Sequence, residues 1–361
     1  MSFYVISEPE YTTSNWYNNI LNGLIEEKRQ KRFSLIMLTS MDDLKHHTIT
    51  DEDTMFVIGT NEIWLTTVIQ VCESYFDNRV ILLGNHEKDL YNGKYSVITS
   101  DISRDILILY DYLTSYGKNR IALYGINPDS SSDAFRKKIF LSCGGREEDL
   151  FYNHGSLSKC YKNFLRRADE FDAVICTNDF AAISLVRFMT SDSNLFVTSS
   201  GGGTLLAHYF SPCITHTWVD YQSFGKVGLD LCRLLQKNRN INSVTVYLSS
   251  SFTVGSTTEN LPMRNRCSYA TETVHKDEDS FYSDSEINEM LRIEALLNSC
   301  AEDEFKLLNY LLDNMSYAQI AEKMFLSTNG VKYKLKNMFH ICKVSTKKDF
   351  LELVNKYIKN I

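Results

Sequence analysis

The hydrophobic positions of the first 250 or so residues alternate between short apolar runs and longer amphipathic stretches. The runs that predict β-strands are 3–6, 33–38, 55–58, 80–83, 119–124, 173–176, 195–198 and 244–248. The stretches with helical spacing are 16–28, 63–76, 102–116, 133–142, 181–189 and 224–236. Short apolar strands that alternate with helices indicate βαβ units and a parallel sheet.

The alternation restarts after residue 101, which predicts two successive α/β blocks. We therefore expect two lobes with a cleft between them, with ligands bound near the carboxyl ends of the strands. The predicted two-lobed domain spans residues 1–270. Its first lobe comprises about 1–114 and 221–250, and its second lobe about 115–220 and 251–270.

An acidic, serine-rich segment separates this α/β part from the rest of the chain. Residues 275–286 are H-K-D-E-D-S-F-Y-S-D-S-E, and we predict a linker at 271–286. Beyond it the spacing is helical to the end of the sequence. Residues 287–361 therefore form a predicted all-α domain.

The composition is that of an ordinary globular protein, with 43% hydrophobic and 23% charged residues among 361. It excludes a disordered chain, a collagen-like fibre and a coiled-coil rod. The formal net charge of −7 argues against a protein that binds polyanions over its whole surface.

Nine scattered cysteines, with no C-x-x-C spacing, predict free thiols in a reducing cytoplasm. The eight histidines form no H-E-x-x-H motif and no ligand set with cysteine, so we predict no metal site. The N-terminus has no signal-peptide pattern, and no window approaches the roughly 18 apolar residues of a membrane span. We expect a cytoplasmic protein without a membrane segment.

The sequence lacks the motifs of the common nucleotide-binding and hydrolytic enzymes. There is no G-x-x-x-x-G-K-[ST], no G-x-G-x-x-G after the first strand, no G-x-S-x-G and no paired acid/base motif. We therefore predict that the protein is not an enzyme, with no catalytic residues and no cofactor.

The stretch D-A-V-I-C-T-N-D-F-A-A-I-S-L-V-R at 172–187 resembles the effector-binding core of lac-repressor-type (LacI/GalR) regulators. So do R-I-A-L-Y-G at 120–125, P-D-S-S-S at 128–132 and the segment 215–225, in the same order. The resemblance covers about residues 3–262 and implies a periplasmic-binding-protein-like (type I) pair of lobes. Because the first predicted strand begins two residues after Met1, we expect that family's N-terminal DNA-binding headpiece to be absent.

By this resemblance, Arg136 and Asn178 lie where family members hold a small effector, often a sugar. A guanidinium bonds to paired hydroxyls or a carboxylate, and an amide both donates and accepts hydrogen bonds. The aromatic residues either stack on the effector or pack in the core. The predicted effector-binding residues are Tyr11, Trp16, Asp101, Arg136, Asn178, Ser199, Ser200 and Trp218.

Two positions depart from the family pattern. Residues 199–204 are S-S-G-G-G-T, where the family has G-[FY]-D-[DN], so the expected carboxylate is missing. We expect a flexible loop there, the alternative being an anion site made of backbone N–H groups. Gly255 stands where the family has an arginine near the end of the core.

The C-terminal helices are predicted from their spacing and their caps. One helix covers 302–312, Ser316 caps a second, and Ser327 caps a third. The third helix buries Val331, Leu335 and Met338, and a fourth covers 349–357.

The segment Y-A-Q-I-A-E-K-M-F-L-S-T-N-G-V-K-Y-K-L-K-N-M-F at 317–339 resembles the LuxR/GerE-type helix-turn-helix, with coverage of about 301–358. Gly330 takes the place of that family's threonine. The resemblance implies that the exposed face of the third helix contacts DNA. The predicted DNA-binding residues are Ser327, Thr328, Asn329, Lys332, Tyr333 and Lys336.

The distribution of charge favours DNA as the partner of these helices. Residues 316–361 hold nine lysines and three acidic residues, a net charge of +6, which leaves −13 on the remainder. A basic module on an acidic body suits phosphate contact.

The sequence therefore predicts a homodimeric transcriptional regulator that senses a small molecule, a sugar or related metabolite, and binds double-stranded DNA. The alternative is a cytoplasmic binding module whose C-terminal helices mediate protein contact or oligomerisation.

Overall fold

The computed structural model describes residues 2–12, 14–30, 33–76, 79–84, 94–189, 194–259 and 284–358. The strands are β1 (Ser2–Ser7), β2 (Ser34–Met37), β3 (Thr54–Ile58), β4 (Val80–Leu83), β5 (Ser96–Ser100), β6 (Ile121–Ile126), β7 (Leu150–Tyr152), β8 (Ala173–Cys176), β9 (Phe196–Gly202), β10 (Thr215–Trp218), β11 (Thr245–Leu248) and β12 (Ser251–Thr253). The helices are α1 (Asn15–Gln30), α2 (Glu62–Phe76), α3 (Ile102–Ser115), α4 (Ser131–Ser142), α5 (Leu157–Leu165), α6 (Asp179–Phe188), α7 (Leu205–Tyr209), α8 (Tyr221–Lys237), α9 (Ser285–Ser299), α10 (Glu302–Leu312), α11 (Tyr317–Lys323), α12 (Thr328–Ile341) and α13 (Lys347–Tyr357).

The first sheet has the strand order β11-β5-β4-β3-β1-β2, and all its neighbouring strands are parallel. Successive side chains of a strand point to opposite faces. Phe3 and Val5 therefore pack with α1 and α8 on one face, while Tyr4 and Ile6 pack with α2 on the other. Burial on both faces explains why these strands are continuous apolar runs.

The second sheet has the order β12-β10-β9-β8-β6-β7, with β8 parallel to both β6 and β9. Cys176, the last residue of β8, lies opposite Ser199 of β9. The two sheets confirm the predicted α/β class with parallel strands.

The chain divides into two compact units. The first comprises Met1–Asp111, Ile126–Glu147 and Thr217–Phe252, and the second comprises Tyr112–Gly125, Glu148–His216 and Thr253–Ile361. Helix α4, which follows β6, belongs to the first unit. The C-terminal helices belong to the second unit, because one hydrophobic cluster runs from the second sheet through α9 to α12 and α13.

Two predictions about chain segments need correction. Strand β9 continues to Gly202, so the flexible loop predicted for 199–204 is wrong for its first four residues. Helix α9 begins at Ser285, capped by Asp284, so the last residues of the predicted linker are helical. The rest of that linker, 271–283, lies outside the described residues.

Strand β5 was missed by the sequence analysis because its sequence, S-V-I-T-S, contains only two apolar residues. All five residues are nevertheless buried. Their hydroxyl groups are satisfied inside the protein, as where Ser96 Oγ accepts a hydrogen bond from the N–H of Val244 at 3.2 Å. A buried strand need not be apolar when its polar side chains find partners.

Candidate effector-binding and nucleic-acid surfaces

Glu8 directly follows β1 and holds a buried carboxylate, with the residue 4% exposed. Its Oε2 accepts hydrogen bonds from the backbone N–H groups of Thr60, at 2.9 Å, and Asn61, at 3.1 Å. Burial raises the pKa of Glu8, and these two hydrogen bonds oppose the rise. Ligands of open α/β sheets bind at the carboxyl ends of the strands. The sequence analysis missed Glu8, although its place immediately after the first strand was a usable signal.

Tyr11 and Trp16 lie together beside this carboxylate region. Their ring centroids are 5.4 Å apart, and Trp16 lies 6.3 Å from the ring of Tyr221. Burial raises the pKa of Tyr11 to about 12, while a hydrogen bond with Thr60 partly lowers it. Both predicted aromatic residues are half-buried. They are therefore partly packed in an aromatic cluster and partly accessible.

Arg136 is 7% exposed, and its Nη1 donates to Asp133 Oδ1 at 2.8 Å within α4. Asp133 is fixed in turn, because its Oδ2 accepts from the N–H of Asn127 at 2.9 Å. The guanidinium predicted to bind an effector is thus already oriented by a buried carboxylate. Its role in binding stays a prediction.

Asp101 and Trp218 also belong to the first unit. Asp101 lies just before α3 and accepts a hydrogen bond from the N–H of Arg104 at 3.4 Å, while Trp218 is the half-buried last residue of β10.

A further carboxylate on α3, Asp105, was missed: it is 1% exposed, and its Oδ1 has no hydrogen-bond partner among the described residues. Burial raises the pKa of Asp105 to about 6.

Asn178, Ser199 and Ser200 belong to the second unit. The Oδ1 of Asn178 accepts from the N–H of Ala181 at 3.0 Å and caps α6, and its amide nitrogen donates to Thr177 Oγ1 at 3.3 Å. Both serines are fully buried, and Ser199 Oγ has no partner within the described part of the chain. The effector role of these three residues stays a prediction.

Asp179 supplies a carboxylate next to the S-S-G-G-G-T segment, which lacks one of its own. Its Oδ2 accepts from the N–H groups of Gly203, at 3.0 Å, and Thr204, at 3.1 Å, and from Thr204 Oγ1 at 2.9 Å. The alternative of an anion site is therefore wrong for these two N–H groups, which already bind an internal carboxylate. Gly202 permits this contact, since a Cβ there would lie 2.5 Å from Asp179 Oδ1.

The C-terminal helices are capped where the sequence predicts. Ser316 and Gln319 form a capping box at the start of α11. Ser327 Oγ accepts from the N–H of Gly330 at 3.1 Å at the start of α12. The turn between the two helices passes through Phe325, which has φ 54° and a side chain that is 96% exposed.

Helix α12 divides into a buried and an exposed face. Val331, Leu335 and Met338 are buried, as predicted. The six predicted DNA-binding residues, Ser327, Thr328, Asn329, Lys332, Tyr333 and Lys336, are all exposed. Lys334 forms an ion pair with Glu304 of α10, whereas Lys332 and Lys336 form none within the described ranges. Two cations one turn apart are thus presented to solvent, a geometry that suits phosphate and base contacts.

No protein-family model matches the sequence, and no curated protein sequence matches it either. Solved structures do resemble it. A LacI family transcriptional regulator from Enterococcus faecium with bound ribose is 15% identical, with a TM-score of 0.58, over 73% of this chain and 100% of that one. The CCPA regulator from Weissella paramesenteroides with bound sucrose is 18% identical, with a TM-score of 0.55, over 73% and 99%. The lac repressor dimer bound to operator and the anti-inducer ONPF is 14% identical, with a TM-score of 0.59, over 71% and 81%.

The two sheets and their helices have the LacI-type effector-domain fold. This confirms the fold that the motifs at 120–187 predict. At identities of 13–18%, the similarity to these solved structures concerns the fold alone. Among the described residues, no helix is both long and apolar enough to cross a membrane.

Proposed function

We propose that this protein is a ligand-responsive transcriptional regulator. Its two-lobed part senses a small molecule, and α12 binds double-stranded DNA. The observation that carries the proposal is the exposed face of α12, where Lys332 and Lys336 have no ion pair with described residues while Ser327 caps the helix. The net charge of +6 over residues 316–361 supports it.

A gel-shift assay with a duplex from the region upstream of the protein's own coding sequence tests the DNA part. We expect Lys332→Glu with Lys336→Glu to weaken binding by at least about tenfold, since each lost contact is worth roughly 1–3 kcal/mol. The matched control is Lys343→Glu with Lys348→Glu, which changes the module's charge equally at exposed positions outside α12. Equal loss in both variants would show that only the overall charge matters, and unchanged binding in the first would refute the assignment.

The proposed effector is a sugar or a related metabolite. Structures with this fold include regulators described with bound ribose, sucrose and glucose, and one in complex with cellobiose. The aromatic pair Tyr11 and Trp16 beside the buried Glu8 supports the same class of ligand, because aromatic rings and carboxylates recognise the apolar faces and hydroxyls of sugars.

A thermal-shift screen of sugars, sugar phosphates and nucleobases tests this part. A ligand that binds the native state raises the melting temperature, and the rise grows with the logarithm of the ligand concentration divided by its dissociation constant. We expect a shift with a member of the sugar class and a smaller shift in Trp16→Ala. A flat response across all three classes would contradict the sensor.

The alternative, a C-terminal module that contacts protein, is favoured by one observation. Phe325 and Tyr333 are 96% and 68% exposed, and such aromatic residues are common in protein interfaces. If Phe325 contacts another protein and not DNA, we expect Phe325→Ser to leave DNA binding within about twofold. Sedimentation of the same variant then tests the proposed homodimer.

A further inference from the structure

Glu294 of α9 is a fully buried carboxylate that binds the start of another helix. The residue is 2% exposed, and its two oxygens accept hydrogen bonds from the N–H groups of Leu205, at 2.9 Å, and Leu206, at 2.6 Å. These are the first two residues of α7. The N–H groups at a helix start have no partner within the helix, so an acceptor from elsewhere must satisfy them.

The start of α7 directly follows strand β9, which contains two predicted effector residues. Ser199 and Ser200 lie in β9, which leads through Gly203 and Thr204 directly into α7. Between β9 and α7, the Asp179 carboxylate holds the chain by accepting hydrogen bonds from the N–H groups of Gly203 and Thr204. A shift of β9 at its carboxyl end must therefore move the N–H groups that Glu294 binds.

Helix α9 is bonded on its other side to the helices of the C-terminal module. Arg292 Nη1 donates to the backbone carbonyl of Cys342, directly after α12, at 3.3 Å. Tyr357 Oη of α13 donates to Glu289 Oε2 at 2.8 Å. The buried side chains of α9 and α12 belong to one hydrophobic cluster. Helix α9 thus spans the distance between the β9–α7 segment and the helix that carries the DNA-binding face.

A second set of contacts holds the start of α9 without involving the β9–α7 segment. Asp284 Oδ2 accepts from the N–H of Leu157 at 2.8 Å, and Glu286 accepts from Ser184 Oγ at 2.9 Å and from Arg187. These contacts anchor α9 on α5 and α6. Of the α9 carboxylates described, Glu294 is the one bonded to the turn that follows Ser199 and Ser200.

We propose that Glu294 is the positioning residue through which the β9–α7 segment controls the orientation of α12. The proposal rests on the proposed function, in which α12 binds DNA, and on the predicted effector role of Ser199 and Ser200 in β9. When the carboxyl end of β9 moves, the hydrogen bonds that the N–H groups of Leu205 and Leu206 donate to Glu294 lengthen or break. Helix α9 then shifts, and because α12 packs on α9, the orientation of α12 changes with it.

Hydrogen exchange of the full-length protein, measured by mass spectrometry, tests the coupling without DNA or effector. Gly202→Ala perturbs the β9 end, because its Cβ would lie 2.5 Å from Asp179 Oδ1 and force that carboxylate to shift. We expect exchange in peptides from α9 and α12 to rise about tenfold in this variant, as for the loss of one buried hydrogen bond.

The decisive comparison is a double-mutant cycle with Glu294→Ala. Once Glu294 is removed, Gly202→Ala should change α12 exchange by less than about twofold, because the connection is already broken. Glu294→Gln retains one of the two acceptor oxygens and should preserve only part of the response. Glu289→Ala is the matched control. This carboxylate of the same helix bonds to Lys356 and Tyr357 of α13, and to no described residue of α12 or the β9–α7 segment, so its loss should leave the α12 response intact.

Additive effects of Gly202→Ala and Glu294→Ala would overturn the proposal, as would an unchanged α12 in Gly202→Ala. If Gly202→Ala does not fold, Asp179→Asn perturbs the same turn and replaces it in the cycle. Failure of the gel shift with an intact cycle would refute DNA binding and leave the coupling standing, so the two proposals fail separately.

Discussion

Arg187 of α6 and Glu286 of α9 form a buried ion pair although they are 99 residues apart in the sequence. Their side chains are 8% and 12% exposed. The guanidinium also lies 4.6 Å from the ring of Tyr357 in α13. Arg187 of the second unit therefore contacts both α9 and α13.

Replacement of this arginine should destabilise the second unit strongly. Arg187→Met leaves the Glu286 carboxylate buried without its cation, and we expect a loss of about 3–5 kcal/mol in the free energy of unfolding. Urea denaturation followed by circular dichroism measures it. Arg233→Met is the control, since Arg233 pairs with Asp230 at the surface and should cost less than about 1 kcal/mol. An equal loss in the free energy of unfolding for the two variants would contradict a larger contribution from the buried ion pair.

Asp105 should make the stability of the first unit depend on pH. Burial raises the pKa of Asp105 from its ordinary 3.8 to about 6. The folded state therefore holds this proton more tightly than the unfolded state, and the stability present below pH 4 is lost as the pH rises through 6. Two pKa units correspond to about 3 kcal/mol.

Asp105→Asn should remove this loss and raise the melting temperature at pH 7.5 relative to the wild type, with little difference at pH 4. Thermal unfolding at both pH values measures it. Asp111→Asn changes an exposed carboxylate of the same helix and serves as the control. An equal shift for Asp105→Asn at both pH values would show that ionisation of Asp105 is not the cause.

Gly330→Ala should stabilise α12. A Cβ at this position would meet Ser327 Oγ at 3.4 Å and Leu326 Cβ at 3.8 Å, which are ordinary contacts. Alanine favours the helix over glycine by up to about 1 kcal/mol. Chemical denaturation of the full chain should show the gain, and a loss of stability would mean that the cap from Ser327 to residue 330 cannot tolerate a side chain.

Alanine substitutions on the buried face of α12 should lower stability, and those on its exposed face should lower DNA binding. Leu335 is 1% exposed, so Leu335→Ala should cost about 2–5 kcal/mol of stability. Its neighbour Lys336 is exposed, so Lys336→Ala should lower the free energy of unfolding by less than about 0.5 kcal/mol. The same variant should weaken DNA binding. A large stability loss from Lys336→Ala would contradict the exposed position of this side chain.

Local features of the sequence predicted much of the structure. Ser316 and Ser327 cap α11 and α12, and the spacing of Val331, Leu335 and Met338 identifies the buried face. These features depend on residues within one or two helical turns of each other, so they can be recognised in the sequence before the fold is known. Four buried carboxylates were not predicted: Glu8, Asp105, Asp179 and Glu294.

The sequence by itself determined the βαβ order, the capped helices and the concentration of positive charge in the last 46 residues. Only the tertiary structure decided that β9 runs through Gly202, that Asp179 binds the turn after it, and that Glu294 and Glu286 join α9 to the second lobe. The partners of these carboxylates lie 24 to 102 positions away. No local pattern encodes such pairs, because a buried carboxylate is stabilised by whichever donors the folded chain brings to it.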